Sequence, residues 1–155
     1  MQTNCRLFYK RFSIEDIDFL NIKQIVSKIE AIDYEPKNQN IALLKQAITD
    51  IFSDNGFVLG IALGKSHLTI NGLKRKTGLA IQTGNAARFY ADLLKLQWLY
   101  KEKKIHNAIY VCLSKDSVKD SYSSNLIHAE RALREADFFD KIIDLPILFI
   151  ELDFI

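Results

Sequence analysis

The run Gly78-Leu79-Ala80-Ile81-Gln82-Thr83-Gly84-Asn85 constrains this chain more than any other stretch. Its apolar start and polar end read as a buried strand. Asn85 then suits a helix start, because its side chain accepts from backbone N–H groups that the first turn leaves free. The helix runs to about Lys101 with Phe89, Leu93, Leu96 and Tyr100 on one face, a stripe broadened by Tyr90 and Leu94. Asn107 to Leu113 follows as an almost wholly apolar strand, and Leu145 to Leu152 closes as another. Near-continuous apolar runs at 107–113 and 147–150 fit strands covered on both faces. A helix from Asn125 to Phe139 separates them, so the order predicts an α/β fold, a mixed central sheet flanked by helices.

Upstream, Ile17, Leu20, Ile25, Ile29 and Ile32 recur at near-helical spacing and predict one helix over Ile14–Ile32. Ser13, Glu15 and Asp16 suit its start, with an acceptor and acids at the positive end. A linker, 33–40 with Pro36, leads to a helix over Ile41–Phe52, whose stripe is Leu44, Ala47, Ile48 and Ile51 and whose stop is Asn55-Gly56. Phe57–Leu63 and His67–Ile70 read as short strands. With 155 residues the chain suits one domain, a helical part over 1–56 and a sheet core over 57–155.

A net charge of +2 is too small to argue for nucleic acid, so any such argument rests on where the charges lie. Cys5 and Cys112, far apart in sequence, suggest a reducing compartment rather than a disulfide framework, and hence the cytoplasm. The N-terminus lacks the apolar core of a signal peptide, and no apolar run reaches the ~18 residues of a membrane span. His67, His106 and His128 share no metal-ligand spacing with each other or with the cysteines.

Ala80 and Gln82, two apart on a strand, share a face. Asn71-Gly72, between Ile70 and Leu73, is a first-rank hairpin-turn dipeptide. Lys74-Arg75-Lys76 follows it and, with Lys65 and Arg88, either rims a cleft for phosphates or forms a solvated tip that discourages edge pairing. Trp98 falls beside the main stripe of its helix, as peripheral core or as a dimer contact.

From Thr77 to about Lys115 the sequence resembles the core of the PD-(D/E)xK endonucleases, in particular the BglII/BamHI-like branch of type II restriction enzymes. The resemblance rests on the strand ending Ala80-Ile81-Gln82, the Asp92-Leu93 pair on the next helix, and the strand Ile105-His106-Asn107-Ala108-Ile109-Tyr110-Val111. The order of later elements extends it over 41–152. It implies a restriction-endonuclease-like fold and a homodimer on double-stranded DNA, with Mg²⁺-dependent cleavage. It also implies an acid at 71 and another at 80, where this chain has Asn71 and Ala80, with Gln82 beside them. The loss of both charges weakens divalent binding. The leading expectation is therefore a DNA-binding relative with an impaired phosphodiesterase site and no metal. In that reading Lys74, Arg75, Lys76 and Arg88 hold phosphates, while Asn71, Ala80 and Gln82 mark the degenerate centre. A second expectation is an active Mg²⁺ endonuclease that uses Asp92 as a displaced acid, together with Glu30, Asp50 or Asp54. A third is a homo-oligomeric module that binds no nucleic acid.

Overall fold

The computed structural model describes residues 2–35, 39–118 and 127–154. Its centre is a six-stranded mixed sheet in the order β1-β6-β5-β4-β3-β2. The strands are β1 (Thr3–Lys10), β2 (Val58–Ala62), β3 (Thr69–Lys74), β4 (Thr77–Gln82), β5 (Asn107–Leu113) and β6 (Ile147–Phe154). Strands β4, β5 and β6 run parallel, and β1, β3 and β2 join antiparallel at the flanks. The two runs read as central strands are indeed central, and every residue of β5 is buried.

Helices cover both faces. On one side α1 (Ile14–Phe19), α2 (Ile22–Glu30) and α3 (Ile41–Asp54) bury Ile17, Ile25, Ile29, Ile48 and Phe52 against Leu79, Ile81, Ile109, Val111 and Ile150. On the other, α4 (Ala86–Lys101) and α6 (Ala129–Phe138) cover Ala80, Tyr110, Cys112 and Phe149. The short α5 (Lys115–Val118) follows β5. Alternation along each strand thus feeds two separate cores.

Three sequence expectations change. The N-terminal part is not only helical, because β1 pairs with β6 over eight residues. The pattern of β1 does not alternate, since as an edge strand it carries Arg6, which reaches Glu151 at 2.6 Å. The helix predicted over 14–32 is two helices, broken where Asn21 adopts φ 57°. An unbroken helix would set Leu20 and Ile22 about 200° apart. The left-handed residue resets the phase, so both are buried, and Asn tolerates that conformation better than most residues. Thirdly, Tyr90 and Leu94 do not broaden the buried face of α4, where Gln97 and Leu99 are buried beside Phe89, Leu93 and Leu96. The start predicted for α6 at Asn125 lies outside the described residues, as does Pro36 of the linker. The described helix is capped by His128, whose Nδ1 accepts from the Arg131 N–H.

Candidate active-site cleft

The cleft forms where β3 and β4 part. Their ladder runs Lys74↔Thr77, Leu73↔Gly78, Gly72↔Leu79 and then stops. Beyond it the Ile81 N–H has no strand partner on that side, and Asn71 supplies one: its Oδ1 accepts from Ile81 N at 2.9 Å. Asn71-Gly72 is therefore strand, not turn, and neither residue has the positive φ that the turn would need. Gly72 makes room for Leu79, whose Cδ2 would lie 3.2 Å from an added Cβ. The turn falls at Arg75-Lys76, with Arg75 at φ 53°.

That shift moves the basic triplet. Lys74, Arg75 and Lys76 lie at the start of β4, and the cleft lies at its end, roughly 17 Å away at about 3.3 Å per residue. The Lys74 ammonium sits 6.0 Å from the Phe57 ring centre, the Arg75 guanidinium 4.3 Å from that of Phe19, and Lys76 Nζ donates to the Lys103 carbonyl at 2.9 Å. Of the predicted phosphate contacts, only Arg88 reaches the cleft.

The cleft has a volume of about 490 Å³ and is lined by Asn71, Ile81 and Gln82 from the strands, Arg88, Asp92 and Lys95 from α4, and Lys45 and Thr49 from α3. Two of the three predicted centre residues, Asn71 and Gln82, thus converge, together with Asp92, the displaced acid of the second expectation. The third centre residue, Ala80, does not: it is 1% exposed and lies under α4 with Phe89 and Leu93, beside Tyr110 on β5. Helical spacing places Arg88, Asp92 and Lys95 on one face, at i, i+4 and i+7. Lys45 comes from a distant segment, and no local pattern marked it.

Asp92 is the best-held side chain here. Its Oδ2 accepts from Gln82 Nε2 and from the Tyr110 hydroxyl, each at 3.3 Å, and its Oδ1 lies 3.8 Å from Lys95 Nζ. Gln82 Oε1 accepts from Gly84 N at 3.0 Å, so that amide is used at both ends. Burial pushes the Asp92 carboxyl above its ordinary value, against the pull of the Gln82 amide, the Lys95 ammonium and the Tyr110 hydroxyl. Burial also raises the Tyr110 phenol well above its usual value, with the Asp92 charge adding to the effect.

Magnesium needs several oxygen ligands, carboxylates above all. Among the described residues of the cleft Asp92 alone is a carboxylate, and Asn71 Oδ1 already serves Ile81. Glu30 and Asp50 are elsewhere, the first accepting from the Cys5 N–H and the second from Gln46, and Asp54 is not among the cleft residues. Among the described residues no three His, Cys, Asp or Glu side chains form a metal-holding group. This donor set does not fit the metal that the fold implies.

A prediction follows for Asp92→Asn. The raised pKa means that folding disfavours the ionised form, so wild type carries a cost at neutral pH. That cost is fully present above the folded pKa and fades as pH falls through it toward the unfolded value of about 3.9. The variant should be the more stable at pH 7, with the gap closing in acid, as read by urea denaturation at several pH values.

The chain matches the family model of restriction endonuclease BglII/BglIII over residues 16–152. No curated protein sequence matches it. Among solved structures it is similar to restriction endonuclease BglII complexed with a DNA 16-mer. That match has a TM-score of 0.76 at 15% identity and covers 100% of this chain and 79% of the other. The sheet, the flanking helices and their order are those of the restriction-endonuclease fold, and the chain belongs to the BglII/BglIII restriction endonuclease family.

Proposed function

We propose that this protein binds double-stranded DNA through the cleft at the end of β4 and that its phosphodiesterase centre is impaired. The observation that carries this reading is the balance of charge: Lys45, Arg88 and Lys95 face a single carboxylate, itself held by Lys95, Gln82 and Tyr110. Such a cleft attracts phosphates and lacks the anionic oxygens that would hold a catalytic cation. The related BglII is complexed with DNA, which supports the same partner here.

A homodimer completes the reading, since a two-fold protein matches a two-fold duplex site. Beside the cleft, Leu68, Leu94 and Trp98 are exposed around an apolar groove that shares Ala91 and Lys95 with it. We place the second copy there. No helix among the described residues is long and apolar enough to cross a membrane. Cys5 and Cys112 are free thiols, as suits the cytoplasm.

Fluorescence anisotropy with a duplex at 50 and 200 mM salt tests the DNA claim. Three phosphate contacts per chain, six in the homodimer, predict a fall of roughly 2,000-fold in affinity. Absent or salt-independent binding would discard the reading. Plasmid incubated with Mg²⁺ or Mn²⁺ is expected to stay supercoiled.

A further inference from the structure

We propose that the carboxylate of this cleft has moved from strand to helix: Asp92 stands in for the acid absent at position 80, and the missing negative charge at residue 71 leaves the cleft one carboxylate short of a divalent-cation site. This rests on the reading of the cleft as a degenerate phosphodiesterase centre.

Position 80 is closed. Ala80 does not line the cleft; it is buried beside Tyr110 and packed with Phe89 and Leu93. A longer acid there would displace those side chains. The phenol of Tyr110 spans from that place to Asp92, and Gln82, on the same face of β4, donates to the same carboxylate oxygen. The residues around the old position thus orient the new one.

Position 71 is open. Asn71 lines the cleft with Asp92, and among the described residues only its Oδ1 has a partner, Ile81 N. The other terminal atom is an amide nitrogen, which donates hydrogen bonds and does not ligate a hard cation. Asn71→Asp keeps the bond to Ile81 and converts that nitrogen into an anionic oxygen. The cleft would then offer two carboxylates from β3 and α4, with no change at position 80.

Terbium is the probe, because its luminescence is sensitised by a nearby phenol and Tyr110 is bonded to Asp92. Asn71→Asp should bind Tb³⁺ at least ~10-fold more tightly than wild type, with displacement by Mg²⁺, because affinity for a hard cation rises with the charge count of its oxygen ligands. Asn71→Asp combined with Asp92→Asn should return to wild-type binding. Ala80→Glu alone should gain nothing. Both substitutions at 71 and 92 are isosteric and keep an acceptor for the neighbouring donors, and circular dichroism verifies the fold. The proposal is overturned when the double variant binds as Asn71→Asp does, when Asn71→Asp gains nothing, or when Ala80→Glu gains as much. Metal-free duplex binding by wild type is scored separately, so failure of the terbium arm leaves the DNA reading standing.

Discussion

Replacing Lys45, Arg88 and Lys95 together with glutamine is expected to remove most duplex affinity and to flatten its salt dependence. Each cation that neutralises a phosphate contributes about 0.9 to the slope of log affinity against log salt, so the triple variant should lose about 2.7 per chain, or about 5.4 in the homodimer. The fold should tolerate the change. Arg88 is exposed, and the ion pair between Lys95 and Asp92 spans 3.8 Å, beyond hydrogen-bond reach. The control is Lys74, Arg75 and Lys76, exchanged together for glutamine. It removes the same charge from the far end of β4, so net charge alone predicts equal losses. The cleft reading predicts that the control keeps most of the slope. Equal slopes in the two variants would move the interface to the hairpin tip. Asp92→Asn supplies the opposite sign: loss of the one negative charge facing the phosphates should tighten binding roughly three- to tenfold.

What the sequence revealed and what it concealed divide along physical lines. The central strands were legible because burial on both faces leaves an unbroken apolar run, as in β5. Asn85 was legible because a cap is a local event, and its Oδ1 does accept from Ala87 N at 2.7 Å. Strand β1 was not, since its partner β6 lies some 140 residues away and its own pattern carries no period. Asn71-Gly72 misled because the dipeptide suits a turn, whereas tertiary packing uses the glycine to admit Leu79 and the amide to hold Ile81. The dipeptide also puts the basic triplet at the wrong end of its strand, because the turn forms at Arg75-Lys76 instead. Half of the cleft could still be read: Arg88, Asp92 and Lys95 share one helical face by spacing. Lys45 could not, because only the packing of α3 against the sheet brings it there.

Phe89→Ala should cost more stability than any single change in the cleft. Phe89 is fully buried, its ring edge-on to Tyr110 with centroids 5.4 Å apart, and its neighbours Ala80 and Leu93 cannot fill the space it would leave. Truncation of a core Phe costs about 3–5 kcal/mol, against a total of roughly 5–15 kcal/mol for an ordinary domain. At about 2–4 °C per kcal/mol for a chain of this size, Tm should fall by roughly 6–20 °C. Function should follow for a separate reason. Phe89 anchors the turn of α4 that carries Arg88 and Asp92, and it packs on the Tyr110 ring whose hydroxyl holds the Asp92 carboxylate. Duplex affinity measured well below the new Tm should therefore drop even in molecules that remain folded. Leu94→Ala is the matched control: the same helix, with a side chain that is mostly exposed. Its stability should change by no more than about 0.5 kcal/mol, although sedimentation should show weaker dimerisation where the apolar groove receives a second copy. A loss at Phe89 no larger than the loss at Leu94 would mean that α4 is held by something other than its buried face, and the cleft would lose its structural footing.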